Sequence, residues 1–393
     1  MKEVTPQHLL LVSNAFLPSV GGVENSLRHL GLEAKALGWD VSIVVSDFGL
    51  PRDYANRWRD DFEGLQIYRY PQRHVAFLGP LNLFLSLLSS ILILRALKKR
   101  HPHAHVVSRH HFSVLSLWLA GFRNIKFLVP GVVSFQALAG VTNPSPADRL
   151  RRWVNHQLES FAFVKAQNFV FSETMRKQVC SVSHQLDKPK LTLPGVSTER
   201  FFPASKSEVA SLRQELNLPN DCRLLLFVGR FVPAKGLEVL VNALARLSEN
   251  THLVLVGEGA QLTDLQKQAK DRQLCHRVYF RERVTWVEKY YRVADVFMMT
   301  SNYEPLGQTI LEALASGLPI VAFSKKAGVM TATQELGFDE VISYADDYTE
   351  ESLAAATNVA LEKDFDQRYA IAEKASKTFC WNKLLMDLSD AVS

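Results

Sequence analysis

The 393-residue chain is poor in cysteine. Cys180, Cys222, Cys275 and Cys380 stand far apart, and no two share the spacing of a metal knuckle or a redox pair. That excludes a disulfide-stapled scaffold and a cysteine–zinc module, and it reads as free thiols in a reducing cytoplasm. Low-complexity tracts and short repeats are missing, so disordered and repeat classes drop out. The N-terminal MKEVTPQHLLLVSN has one short apolar run and no small-residue cleavage pattern after it, which predicts a first buried strand rather than a signal peptide. The spaced-glycine fingerprint GxGxxG is absent, so the usual dinucleotide signature is not there. Charge of one sign is scarce too. A net +5 is mildly basic and no aromatic-interleaved basic motif accompanies it. Such a balance suits anionic substrates such as nucleotides, or an anionic membrane surface, and excludes a nucleic-acid footprint. The main long apolar run is GPLNLFLSLLSSILILRALKKR at 79–100, marginal against the roughly 20 residues a bilayer span needs. Two readings remain open for it: a helix buried against a parallel sheet, or peripheral contact with anionic head groups through its basic end KKRHPH.

What is present is a globular composition, 47% hydrophobic and 22% charged, in a chain too long for one core, so two domains are expected. Short apolar runs alternate with helical patterns in both halves. HLLLVSN (8–14), DVSIVVSD (40–47), HVVSRHH (105–111), IKFLVPG (125–131) and AQNFVFSE (166–173) form the first set. After the turn-rich LTLPGVSTERFFP (191–203) the pattern restarts with CRLLLFVGR (222–230), THLVLVGEG (251–259), RVYFRERV (277–284), ADVFMMTS (294–301) and LPIVAFS (318–324). Helices are expected at about 236–249, 260–273, 285–293 and 308–317. The β-α-β-α order predicts two doubly wound parallel sheets, each covered on both faces, with a boundary near 195–210. Ligands collect beyond the carboxyl ends of such strands, so two sheets facing each other would place a site in an interdomain cleft.

Four stretches carry candidate chemistry. Gly21-Gly22 follow the first strand and open a helix, where a close backbone and free N–H groups favour an anion; a tight turn explains them equally well. In FVGRFVPAKG (227–236), Arg230 and Lys235 bracket a proline turn between a strand end and a helix start, the makings of a diphosphate clamp or a pair of solvated surface cations. Gly257 and Gly259 after the next strand again allow close backbone approach. In EPLGQTILEALASG (304–317), Glu304 lies on a loop and Glu312 lies in the following helix. Eight residues of helix separate carboxylates by about 12 Å, beyond the roughly 5–9.5 Å of a hydrolase pair. Different roles fit better: Glu304 at sugar hydroxyls, the N–H groups of Gly307, Gln308 and Thr309 at a phosphate, and Glu312 at a vicinal ribose diol. The plain alternative is a dipole-complementing acid and a solvated helix residue.

These segments together resemble the retaining glycosyltransferases of family GT4, which have the GT-B fold of two Rossmann-like domains facing a cleft. The resemblance covers nearly the whole chain through PSVGGVE, LPGVSTERFFP, FVGRFVPAKGLEVLVNAL, LVGEG, YYRVADVFMMTSNYEPLGQTILEALASGLPIVA and FCWNKLL. It implies an N-terminal acceptor domain over 1–200, a nucleotide-sugar donor domain over 201–377, and a C-terminal helix at about 378–393 packing back on the first domain. It implies transfer of a hexose from a nucleoside-diphosphate sugar, UDP favoured and GDP open, to a lipid-linked or saccharide acceptor, with retention and without metal or other cofactor. The setting implied is cytoplasmic, with possible peripheral contact on the inner face of an anionic membrane, in cell-surface polysaccharide or glycolipid synthesis. By the same resemblance Gly21 and Gly22 sit against the diphosphate, and Arg230 and Lys235 neutralise it as it leaves. Glu304 contacts the hexose, Leu306 belongs to the same donor loop, Glu312 binds the ribose, and Val284 belongs to the base-side segment. His110 falls where the family keeps a histidine near the sugar, with His111 beside it. Ser172 and Glu173 match a segment near the cleft, so His110, His111 and Ser172 are the acceptor-side candidates.

Three departures mark this chain. The base-side segment, commonly F-x-G-x-V, reads Phe280-Arg281-Glu282-Arg283-Val284. The hinge has Ser197 where an acid is common. The usual double glycine followed by an acid is replaced by SKKAGVMTATQELGFDE, with Lys325 and Lys326 as further candidate anion contacts. Competing readings are an epimerase or phosphorylase of the same fold, or a non-catalytic sugar-nucleotide-binding subunit. The Arg230/Lys235 spacing and the retained glutamates argue for transfer.

Overall fold

The computed structural model describes residues 7–17, 21–47, 50, 59–72, 79–136, 145–183, 188–363 and 365–389. They form two compact units, one running to Gly195 and resuming at Trp381, the other spanning Val196–Cys380.

The sheet of the first unit is made of β1 (His8–Val12), β2 (Asp40–Ser46), β3 (Arg59–Phe62), β4 (Leu65–Tyr70), β5 (His105–Ser108), β6 (Ile125–Leu128), β7 (Gln167–Val170) and β8 (Lys190–Leu191). Their order is β3-β4-β2-β1-β5-β6-β7-β8. All pairings are parallel except that of β3 with β4. Every residue of β1 is buried, as a central strand covered on both faces requires. Its side chains alternate between two cores: Leu10 and Val12 join one, Leu9 and Leu11 the other.

The Leu9 face is covered by α1 (Gly22–Ala36), whose inward residues Leu27, Leu30, Gly31 and Ala34 follow helical spacing. On the Leu10 face lie α2 (Gly79–Arg100), α3 (His111–Leu119), the short α4 (Val133–Gln136), α5 (Pro146–Lys165) and α6 (Glu173–Ser183). The long apolar run 79–100 is thus one helix with an inner face in this core; among the described residues no helix is long and apolar enough to cross a membrane.

In the second unit α7 (Lys206–Glu215) precedes β9 (Arg223–Val228), α8 (Leu237–Leu244), β10 (Thr251–Val256), α9 (Leu262–Asp271), β11 (Val278–Arg281), α10 (Glu288–Val293) and β12 (Val296–Met299). There follow β13 (Tyr303–Glu304), α11 (Gln308–Ala315), β14 (Ile320–Phe323), β15 (Met330–Thr331), β16 (Ile342–Ala345), α12 (Glu350–Leu361) and α13 (Arg368–Thr378). The parallel sheet runs β11-β10-β9-β12-β14-β16, and β13 pairs with β15 separately.

The last helix, α14 (Trp381–Ser389), belongs to the first unit: Trp381, Leu384, Leu385 and Leu388 are buried beside α1 in the Leu9 core. Each such side chain contributes about 1.5–3 kcal/mol by burial. Trp381 also stacks on His29 of α1, with ring centroids 5.0 Å apart. The units divide at 195/196 and 380/381, slightly off the expected 200/201 and 377/378. Gly195 lies against the Trp381 ring, where an added Cβ would come within 2.3 Å, while α13 and Phe379, stacked on Phe338, stay with the second unit. The β3–β4 hairpin and β16 are strands that the apolar runs did not mark.

Candidate functional site

In the second sheet the strand order reverses between β9 and β12, so the loops after these two strands flank the switch point at the carboxyl edge. Arg230 and Lys235 lie on the first connection; on the second, Glu304, expected on a loop, ends the two-residue strand β13 paired with β15, and Gly307 follows it. The β9 loop folds through the 3-10 turn Pro233–Lys235 and ends at Gly236, whose φ of 65° and position against the Thr300 carbonyl leave no room for a side chain. Thr300 Oγ1 donates to the Lys235 carbonyl at 2.8 Å and Asn302 N donates to that of Ala234 at 3.0 Å, which ties the two loops together. The tie brings the Lys235 ammonium onto the Glu304 carboxylate as a half-buried ion pair.

Glu304 also lies over the start of α11. A Cβ at Gly307, the N-cap of that helix, would be 3.2 Å from the Glu304 carboxyl carbon, and Gly307 itself supplies no side-chain cap to α11. A helix start favours an anion through its N–H groups and dipole. Gln308 and Thr309 begin this helix and, like Leu306, are half-buried. Arg230 is exposed and, among the described residues, makes no ion pair.

Glu312 occupies a different environment. Its carboxylate is buried on the inner side of α11 and accepts the Tyr291 hydroxyl hydrogen bond at 2.8 Å. Burial raises its pKa to about 7, against the opposing pull of the Tyr291 bond and the Arg200 charge. Arg200 in turn donates to Glu288 at 2.8 Å and to the Thr285 carbonyl. Tyr291 is fixed by Phe297 and Phe201, with centroids 5.6 and 5.4 Å away. The two glutamates therefore have separate partners and do not form an acid–base pair. Tyr291 and Arg200 were not candidates from sequence; the only signal was their place in YYRVADVF and GVSTERFFP.

Gly257 and Gly259 are packed against their own chain. A Cβ at Gly257 would fall 1.9 Å from the Gly229 carbonyl oxygen, and one at Gly259 would fall 2.3 Å from that of Phe231. These glycines admit the neighbouring loop, whatever ligand approaches. Val284 is half-buried ahead of α10. Lys325 and Lys326 do not converge on a shared anion site: they pair with Glu335 at 2.9 Å and Asp346 at 2.7 Å.

In the first sheet the order reverses between β1 and β5. Gly21 and Gly22 open α1 after β1, while Pro18, Ser19 and Val20 lie outside the described residues. Gly21 is extended and provides no side-chain cap. A Cβ there would lie 2.7 Å from Glu24 Oε2, so the open space holds the Glu24 carboxylate. After β5, Arg109 is buried, donates to the Leu128 carbonyl at 2.7 Å and lies over the Phe171 ring. Burial lowers its pKa to about 10, and the Glu24 charge counters this.

His110 is the N-cap of α3: its Nδ1 accepts the Phe112 N–H at 3.3 Å, which leaves Nε2 to carry the proton in the neutral ring. Burial lowers His110 to about 3, helped by its stacked neighbour His111, itself lowered to about 4 by burial. Both imidazoles are neutral near pH 7. Ser172 caps α6 by accepting the Met175 N–H at 3.1 Å and is buried, so it has a structural task apart from any acceptor.

The family model "Glycosyl transferases group 1" matches residues 208–378, and "Glycosyl transferase 4-like domain" matches residues 21–179. An uncharacterized glycosyltransferase of Methanocaldococcus jannaschii is 31% identical over 182 residues, which spans 43% of this chain and 45% of that protein. A GDP-mannose-dependent alpha-mannosyltransferase of Corynebacterium glutamicum is 25% identical across 99% of this chain and 89% of its own. Among solved structures, Anabaena HepE in complex with UDP and glucose superposes with a TM-score of 0.75 at 17% identity, covering 98% of this chain and 99% of that one. The switch-point loops, the two parallel-sheet units and these matches lead to one assignment: the chain belongs to the group 1 (GT4) glycosyltransferases and has the GT-B fold.

Proposed function

We propose that the protein transfers a hexose from a nucleoside-diphosphate sugar to a lipid-linked or saccharide acceptor, with retention at the anomeric carbon. The observation that carries this reading is the meeting of Lys235 and Glu304 at the switch point of the second sheet, beside the start of α11 at Gly307. The diphosphate rests at that helix start, and Arg230 and Lys235 balance its charge as the C1–oxygen bond breaks. The acceptor oxygen bonds to C1 on the same face, and its proton passes to the departing diphosphate oxygen. Glu304 accepts hydrogen bonds from the hexose, and Glu312, oriented by Tyr291, accepts them from the ribose. His110, neutral with its proton on Nε2, donates to a sugar or acceptor hydroxyl. Two side-chain cations serve the leaving group, so no metal is assigned to the step.

UDP is the favoured carrier. GDP is the second reading, supported by the GDP-mannose dependence of the Corynebacterium relative along nearly the whole chain. Thermal unfolding with UDP- and GDP-hexoses separates the two, because a ligand that binds only the native state raises the melting temperature. A rise with UDP-hexoses alone supports the first, a rise with GDP-hexoses alone the second, and no rise with either refutes the donor site.

A further inference from the structure

Strand β12 is a run of buried apolar residues, Val296 to Met299, and the residue after it, Thr300, is wholly buried as well. A valine would fill that place with the same branched shape. The threonine hydroxyl is costly there unless it is bonded. Its partner lies on the connection after another strand: Thr300 Oγ1 donates to the Lys235 carbonyl at 2.8 Å. The backbone of Lys235 is held on either side of this bond. Its N–H donates to the Val232 carbonyl at 2.9 Å, and the carbonyl before it, that of Ala234, accepts from Asn302 N at 3.0 Å. The next residue, Gly236, is wedged. A Cβ there would fall 2.2 Å from the Thr300 carbonyl oxygen and 2.6 Å from the Tyr348 hydroxyl. Tyr348 follows β16 and rests on Phe323 of β14, with ring centroids 4.5 Å apart. Among these restraints Thr300 supplies the side-chain hydrogen bond.

We propose that Thr300 is a positioning residue for the donor diphosphate, acting through Lys235. The inference rests on the donor reading of the Lys235–Glu304 pair and adds the group that aims the cation. A lysine ammonium rides on a flexible four-carbon stem, so its place depends on how both ends are held. At the far end Glu304 holds the ammonium, and at the near end Thr300 holds the carbonyl. Both holds come from the connection after β12. That connection is itself pinned to β15, because Met330 N donates to the Asn302 carbonyl at 2.8 Å and Ala332 N to that of Glu304 at 3.1 Å. Lys235 is therefore placed by a fixed strip of neighbouring backbone as well as by its own turn. Loss of the hydroxyl leaves the Lys235 carbonyl without this bond and frees the turn to shift. A misplacement of about 1 Å is enough to lose much of a preset contact, and a cation aimed at a diphosphate depends on being preset.

The experiment is calorimetric titration of the full chain with UDP and with GDP, for wild type, T300V, T300S, K235A and T300V/K235A. Valine keeps the shape of Thr300 and removes the donor, whereas serine keeps the donor. T300V should weaken the nucleotide that wild type binds by about tenfold, and T300S should stay within about twofold of wild type. Once Lys235 is alanine, T300V should add nothing, because Thr300 reaches the diphosphate through Lys235 alone. Additive losses in T300V/K235A overturn the proposal and leave the donor reading standing. So does wild-type affinity in T300V when K235A is weakened. No binding of either nucleotide by wild type, or full affinity in K235A, overturns the donor reading and the proposal with it. T300A is the second variant should T300V lose its cooperative unfolding transition, and it must show the same loss and the same dependence on Lys235. Loss of that transition in both makes Thr300 a folding residue and overturns the proposal.

Discussion

The Lys235 ammonium is bonded to the Glu304 carboxylate across 69 residues of sequence. The cation assigned to the diphosphate is thus already balanced by the acid assigned to the sugar. In the proposed reaction Lys235 would be shared between this carboxylate and the donor phosphate.

Removing one member of this pair leaves a half-buried charge unmatched. Lys235→Ala should cost about 1–3 kcal/mol of stability, and adding Glu304→Ala should return part of it, a coupling of about 1–2 kcal/mol. Denaturant unfolding of the two single variants and the double variant measures the coupling. Additive costs would mean the pair is a solvated contact.

Glu312 gives donor binding a pH dependence. With its pKa raised to about 7, the carboxylate is partly protonated near neutrality, and a ribose diol donates best to the ionised form. Donor affinity should rise as pH increases through about 7 and become flat in Glu312→Gln. For stability the sign is opposite: the native state holds the proton more tightly than the unfolded chain, so this group's contribution falls as pH rises from the ordinary carboxylate range to about 7. Calorimetric titration across pH is the measurement. A flat wild-type profile would remove Glu312 from the ribose site.

Gly257→Ala should destabilise the second unit by about 2–4 kcal/mol, with or without ligand, because its φ of 152° and the Gly229 carbonyl both reject a Cβ. Thermal unfolding of the unliganded variant decides. An unchanged melting temperature with weakened donor binding would return this glycine to a purely ligand-facing role.

The half-buried histidines predict acid sensitivity. His110 and His111 are lowered to about 3 and 4, whereas the unfolded chain protonates them near 6.5. Their contribution is whole above about 6.5 and is lost as pH falls below it, because the unfolded state takes up the protons first. Replacing both by asparagine, which keeps a capping side chain at 110, should flatten the acid limb of the stability profile. A limb of unchanged slope would assign it to other groups, His8 among them, lowered by burial to about 4.

Much of the architecture was legible because central parallel strands are unbroken apolar runs. HLLLV, RLLLFV and THLVLV each become the strand expected of them. β3 escaped notice because RDDF is mostly exposed and polar, and β16 because VISYA is short. The positions of Lys235 and Glu304 were readable from strand ends, but their contact was not, since it depends on how two loops are tied by Thr300 and Asn302. Likewise Tyr291 reaches Glu312 only through the packing of α10 on α11. Gly257 and Gly259 were legible as places of close approach; what approaches is the adjacent loop.

The most direct test is the release of nucleoside diphosphate from UDP- and GDP-hexoses, in the presence of lipid and saccharide acceptors, by wild type and by Arg230→Ala/Lys235→Ala. The account predicts release by wild type with one nucleotide class, and a fall of about a hundredfold or more in the double variant, whose leaving group has lost both cations. Release at wild-type rate by the double variant, or none by wild type from any donor, would contradict it.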